Sequence, residues 1–238
     1  MPTGVAIRDP REQLFDAAER ILLRAGPNAL TSRAVTAEAG CAKGVLHRHF
    51  TDFDAFLTEL VLDRIARIGT QTTALRESAG TGTVAGNLTS VLVDLFGSVA
   101  VAMVALITFR DDLRARLRQA GLGGVPVLTE AAAMIASYLT AERELGRIAA
   151  DADVATLAPT LTGAAHLLFA GREGTPPTGE AVRRVVTTVI RDVTAEPGDA
   201  EPGPGGAEPG PGGAEPGPGG AEPGPGGAEP GPGGAEKE

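Results

Sequence analysis

The sequence predicts an all-α protein that ends in a repetitive tail, and three observations carry that prediction. Through residues 1–194 apolar side chains recur at intervals of three and four, the spacing of one helix face, and nothing alternates with period two over a useful length. Capping and stop signals such as Thr51-Asp52 and Gly26-Pro27 bound these stretches. From Ala200 to Gly234 the heptad AEPGPGG runs five times and contains no large apolar residue.

Leu14, Phe15, Ala18, Ile21, Leu22 and Ala25 form the first stripe, which ends at Gly26-Pro27. A short helix is expected from Thr31 or Ser32 to about Ala39, and a second from about Lys43 to His49. Phe56, Leu57, Leu60, Val61, Ile65 and Ile68 make the next stripe, entered after Thr51-Asp52. Beyond it helices are expected at roughly 83–96, 98–119, 126–145, 152–170 and 179–194. In the last of these Val182, Val185, Val186, Val189, Ile190 and Val193 are β-branched, which alone suggests a strand, but their i+3/i+4 pairing decides for helix. Pro126 suits a helix start, whereas Pro159 is expected to kink its helix or mark the true beginning.

The tail also holds the charge. Of the chain's net −9, residues 195–238 carry −8, from nine acids against the single base Lys237, so residues 1–194 carry −1. Pro and Gly this dense cannot offset the entropy of ordering the backbone, and the repeat fits neither a coiled coil nor collagen. Residues 195–238 are therefore read as a disordered acidic tail serving as spacer or solubiliser, with an interaction segment as the alternative. A near-neutral remainder still permits local basic patches, which are what bind phosphate.

The N-terminal MPTGVAIRDPREQ has no apolar run and is not expected to be a secretory signal. The longest uncharged apolar run, Leu95 to Phe109, is shorter than the ~20 residues of a membrane span. The single cysteine, Cys41, precludes an intramolecular disulfide. A soluble, cytoplasmic protein without membrane association is expected.

The stretch TSRAVTAEAGCAKGVLHRHF, Thr31 to Phe50, carries the functional signal. A hydroxyl at Thr31 or Ser32 can cap its first helix, and Gly40 can take the left-handed conformation that ends it. Two short helices joined by a three- to four-residue turn with Gly form a helix-turn-helix, whose second helix enters the DNA major groove. Val35, Ala39, Cys41, Leu46 and Phe50 would fix the two helices together, leaving Arg33, Lys43, His47, Arg48 and His49 outward. On spacing alone a helical corner with a basic edge is the favoured reading.

Arg11 to Ile68, with L-T-S-R-x-V, A-G and K-G-x-L-x-R-H-F in order, resembles the DNA-binding domain of the tetracycline-repressor (TetR) family of bacterial regulators. That resemblance implies a homodimer with a helix-turn-helix domain at residues 1–68 and a helical ligand-binding and dimerisation domain at 69–194. It places Ser32 and Arg33 where the family touches phosphate or base, and Lys43 and Gly44 at the groove-facing start of the recognition helix. Val45, His47, Arg48 and His49 complete the candidate DNA-binding set. Arg33 and Lys43 can donate to guanine O6 and N7, and a helix amino terminus favours phosphate. Four residues depart from the family: Ala42 where Ser or Thr often caps, Val45 where Thr is common, His47 where Tyr is common, and Phe53 in place of a frequent phosphate-binding Lys. Val45 could meet a thymine methyl instead, and each lost phosphate contact flattens the salt slope by about 0.9.

By position in the family and apolarity, Leu157, Leu161, Leu168, Val182, Val185, Val186, Val189 and Ile190 are the expected dimer seam, with packing inside the subunit as the alternative for the valine stripe. The effector pocket is expected among Leu92, Phe96, Met103, Phe109, Met134 and Tyr138, with Thr89, Thr108 and His166 as polar contacts. With few aromatics and no charged cluster, that lining suggests a small apolar or uncharged ligand. No cofactor is expected. His47 and His49 at i, i+2 do not share a face and lack metal-ligating neighbours, so no metal is expected. Cys41 is either a small buried group or a thiol beside Lys43 open to oxidation. An enzyme is not expected: His166 has no nucleophile partner, and GLGG at 121–124 lacks the strand and Lys of a phosphate loop. The expected function is a ligand-released dimeric repressor reading a near-palindromic double-stranded operator. The alternative is a ligand-binding dimer that has lost specific DNA binding.

Overall fold

A computed structural model describes residues 9–171 and 176–194, so the expectation for the tail, 195–238, lies outside the described residues. Asp9 opens α1 (Pro10–Ala25), its carboxylate accepting from the Arg11 N–H, and one 3₁₀ turn, Pro27–Ala29, follows. Then come α2 (Ser32–Glu38), α3 (Val45–His49) and the long α4 (Phe53–Glu77). The body continues with α5 (Val84–Phe96), α6 (Ala100–Phe109), α7 (Asp111–Gln119), α8 (Pro126–Glu144), α9 (Val154–Ala170) and α10 (Gly179–Ile190). Among the described residues no strand forms beyond one isolated bridge, Ile148 to Thr194.

The helices α1 to α3 make a small head, and α4 runs from it into the body. There α4 packs mainly on α8, α8 on α9, and α10 on α5 and α9. The 25-residue α4 passes through Ile68 without interruption, so the end of the head falls inside a helix rather than at a loop. Its sequence alternates apolar and polar turns all the way to Leu75, and Ser78 then closes it by donating its hydroxyl to Leu75 O. The sequence of α6, AVAMVALITF, is apolar all round, as befits a helix at the centre, and Met103, Leu106 and Ile107 are buried.

The expected helix 98–119 is two helices broken at Arg110, whose backbone is extended at φ −117°, ψ 102°. Asp111 and Asp112 supply the acidic first turn that favours a fresh helix start, and Arg110 is drawn aside to partners in the head. Pro159 lies inside α9 instead of at its start. Asp153 caps the helix upstream by accepting from Thr156 N at 3.1 Å. The bond that proline removes falls on the exposed Ala155, where water can serve the carbonyl. The last helix stops at Ile190, short of the expected 194, because Val193 turns to receive Ala149 N at 2.7 Å.

No single helix among the described residues is long and apolar enough to cross a membrane. Helices α5 and α6 together have the composition but are bent by 55° and largely buried.

Candidate nucleic-acid interface

The head is organised around its turn. Thr31 caps α2 by accepting from Ala34 N at 3.1 Å. At the other end Gly40 sits at φ 66°, with Gly40 N bonded to Ala37 O and Cys41 N to Thr36 O, the paired closure of a Schellman motif. That closure reverses the chain within three residues and lets Leu46 of α3 pack beside Val35 of α2, both fully buried. Cys41 is half-buried against the core. The helix α3 begins at Val45, two residues later than expected. Gly44 precedes it without a side-chain cap, and Ala42 has no side-chain oxygen to offer, although its carbonyl accepts from Val45 N at 2.9 Å.

Of the candidate contact residues, Arg33, Lys43, Gly44, His47 and Arg48 are exposed, whereas Ser32 and His49 are half-buried. Val45 is half-buried against the core and so partly occupied within the head. The turn and α3 thus present Lys43, His47 and Arg48 outward, with Arg33 exposed at the start of α2. This is a run of hydrogen-bond donors on an element narrow enough for a major groove.

What holds this surface in place is aromatic and ionic. Phe50 meets Phe56 edge-on at 5.1 Å, Phe15 lies within 5.9 Å of both, and the Arg11 guanidinium sits 4.7 Å above Phe50. Glu38, at the end of α2, accepts from Arg20 Nε at 2.9 Å and Arg24 Nη2 at 2.8 Å, pinning α2 to α1; Arg24 first and then Arg20 hold its carboxyl below the ordinary glutamate range. The body grips the head at the start of α4. Arg116 bonds Asp52 at 2.8 Å while Asp52 caps α4 through Ala55 N. Arg110 donates to Leu30 O at 3.1 Å, lies 3.8 Å from Asp54 and covers the Phe53 ring at 5.5 Å. Phe53, the residue in the place of a frequent lysine, is stacked on Phe56 at 5.6 Å.

A buried charge joins the same two regions. Arg64 of α4 is 8% exposed and donates through Nη2 to Ser98 Oγ at 2.5 Å, in the turn between α5 and α6. Its Nε is buried without a partner, and so is Oε1 of Glu19 on α1. Burial pushes the Glu19 carboxyl up; Arg67 and then Arg64 pull it down, while Asp63 and Asp16 add to the rise. Burial likewise lowers Arg64. Sequence reading passed over this pair, although an arginine inside the apolar stripe Leu60–Val61–Ile68 was a visible signal.

In the body, the expected effector residues Leu92, Phe96, Met103, Met134 and Tyr138 are all buried in one core. Thr89 and Thr108 donate to their own preceding turns, at Ala85 O and Val104 O. His166 is half-buried with its ring edge-on to Phe96 at 5.8 Å, and burial lowers its pKa. Phe109 stands apart, 80% exposed at the end of α6. Tyr138 Oη donates to Glu142 Oε1 at 2.5 Å and accepts from Asn87 Nδ2 at 3.0 Å; Glu142 is fully buried and faces Arg147 at 3.3 Å. Burial first, and then Glu142, push the Tyr138 phenol up. Along the expected seam, Leu161, Val182, Val186 and Ile190 are buried within the subunit, while Leu157, Leu168, Val185 and Val189 are half-buried. Leu167, not among the expected residues, is 71% exposed beside them. Among the described residues no cluster of His, Cys, Asp or Glu could hold a metal ion.

Residues 14–60, spanning α1 to the start of α4, match the protein-family model described as bacterial regulatory proteins, tetR family. By sequence, no curated protein matches the chain. Solved structures match over nearly their whole length. Reduced NemR of E. coli aligns at 17% identity over 78% of this chain and 98% of its own, with a TM-score of 0.59. FadR of Bacillus subtilis, solved in complex with stearoyl-CoA, aligns at 16% over 76% and 98%, with a TM-score of 0.56. A TetR-family member from Streptomyces coelicolor A3 aligns at 23% over 77% and 99%, with a TM-score of 0.52. At these identities the likeness is one of fold.

Proposed function

We propose that the chain, whose residues 14–60 match the tetR-family model, is a regulator of that family and a cytoplasmic, dimeric, ligand-released repressor. The observation that carries the reading is the head itself: a Schellman-closed turn at Gly40 that presents Lys43, His47 and Arg48 on and before α3, with Arg33 exposed at the start of α2. Two such helices, at least one DNA turn apart (~34 Å), read the halves of a near-palindromic operator. Lys43 and Arg33 are the proposed guanine or phosphate contacts, and Ser32, Gly44, Val45, His47, Arg48 and His49 complete the footprint. The protein acts by binding, not by catalysis.

The proposed dimer seam is the outward face of α9 and α10, formed by Leu157, Leu168, Val185 and Val189 together with Leu167. Leu161, Val182, Val186 and Ile190 support that face from behind, since they are spent on packing inside the subunit. A small molecule that prefers the subunit arrangement with mis-set head spacing lowers DNA affinity, and DNA lowers its affinity by the same factor. FadR's complex with stearoyl-CoA supports a ligand-carrying body in this fold. The effector residues read from sequence are packed as core here, so an apolar ligand among them would have to open that core.

Fluorescence anisotropy with DNA upstream of the protein's own gene and neighbouring promoters, against a scrambled duplex at two salt concentrations, tests the reading. Sequence-selective binding with a clear salt slope is expected. Equal or absent binding on every duplex would leave the alternative, a ligand-binding dimer without an operator. Arg33→Ala is expected to cost about 1–3 kcal/mol and to relax discrimination at one base pair; a uniform loss across operator variants assigns it to phosphate instead.

A further inference from the structure

Between α4 and α5 lies an open cleft of about 250 Å³, smaller than the ~300 Å³ at which drug-sized pockets begin. Resting on the regulator reading above, we propose that this cleft is the effector site and that it takes a small organic ammonium ion with an apolar body.

The chemistry of the walls selects that class. Leu75 and Val91 provide an apolar surface for a hydrocarbon body. Two of the donors in the wall are already committed. The Asn87 amide nitrogen bonds Tyr138 Oη and Thr81 O, both at 3.0 Å, and Ser78 donates its hydroxyl to Leu75 O at 2.6 Å. Gln71 Oε1 is buried in the wall with no partner, an acceptor whose desolvation nothing in the chain offsets. Across the cleft Asp94 adds a carboxylate that has no ion-pair partner among the described residues. No Lys, Arg or His lines the cleft. Positive charge is therefore favoured, since the exposed Asp94 is the one charged group in the lining among the described residues and a cation can make a charge-assisted bond to it.

The position suits an effector. The same α4 that contributes Gln71 and Leu75 begins at Phe53 beside the head and carries Arg64 between them. It leans only lightly on α5, so a ligand lodged between the two helices acts on the element that sets the head.

The test is isothermal titration of the full chain with hexylammonium, and with hexan-1-ol as its neutral counterpart. Saturable binding of hexylammonium at one site per chain is expected, with hexan-1-ol at least about tenfold weaker, and with Asp94→Asn and Gln71→Met each weakening hexylammonium about tenfold. Ser90→Leu, which narrows the cleft without changing its charge, is expected to abolish binding; far-UV circular dichroism confirms that each variant is folded. Absence of saturable hexylammonium binding, equal affinity for hexan-1-ol, or unchanged affinity in both Asp94→Asn and Gln71→Met overturns the proposal. The titrations contain no DNA, so a failure of operator binding counts against the regulator reading and not against the cleft.

Discussion

Replacing Arg64 by Met keeps the apolar stem and removes the charge, which isolates what the buried guanidinium does. Arg64 has one hydrogen bond, to Ser98 at 2.5 Å, and an orphaned Nε, so the direct loss is one charge-assisted bond. The larger effect is on Glu19, whose carboxylate is raised by burial and kept down partly by Arg64. Leaving that acceptor with only Arg67 nearby is expected to cost about 1 kcal/mol of stability at neutral pH, since solvent screens a part-exposed carboxyl. The sign with pH follows from the direction of the shift. Glu19's folded pKa lies above its unfolded value and rises further in Arg64→Met. The folded variant therefore holds its proton more tightly than the unfolded chain, and stability falls as pH climbs from the unfolded pKa through the folded one. Urea unfolding of wild type and variant at pH 4.5 and pH 7.5 reads this directly. The deficit should be small at the lower pH and full at the higher, and Glu19→Gln in the same background should recover much of it. A deficit of equal size at both pH values, or no recovery by Glu19→Gln, refutes Glu19 as the partner.

Tyr138→Phe removes the hydroxyl that links Asn87 to the buried Glu142, and urea unfolding should show a loss of about 1–3 kcal/mol; a change below about 0.5 kcal/mol would mean that water replaces it. Leu167→Glu should convert the proposed dimer to monomer in sedimentation velocity without lowering the melting temperature, and an unchanged dimer would place the seam elsewhere. Burial holds His166 below its ordinary value, so its share of stability is present above the histidine range of ~6.5 and is lost as pH falls through the folded pKa; thermal melts of His166→Leu should be flatter than wild type in that acidic window.

The helices that were legible in the sequence are those whose ends carry their own chemistry. Asp52 caps α4, Pro126 opens α8, and Gly40 ends the recognition turn, all through contacts a few residues long. The break at Arg110 was not legible, because it is made by Leu30 and Asp54, 80 and 56 residues away in sequence. The exposed donors Arg33, Lys43, His47 and Arg48 were legible from the turn and the apolar set beneath them. The half-burial of Val45 and His49 was less so, since a five-residue helix gives too few turns to phase its faces. Among apolar residues of the body, periodicity identifies which face is buried but not against what. That is why Val182, Val186 and Ile190 read as seam, with core as the alternative, and why Phe109, at the last position of α6, read as pocket yet stands in solvent.

The continuity of α4 through Ile68 bears on how such a regulator could be rebuilt. Grafting this head onto a foreign body at residue 68 would sever a helix mid-turn, strand Arg64, four positions before the cut, from Ser98, and part Asp52 from Arg116. A transplantable unit would have to extend at least to Ser78 and take Arg110 and Arg116 with it as donor-matched partners. Under the proposed function, any operator preference would be inherited with a piece of the body attached, and new combinations of head and body would have to exchange both.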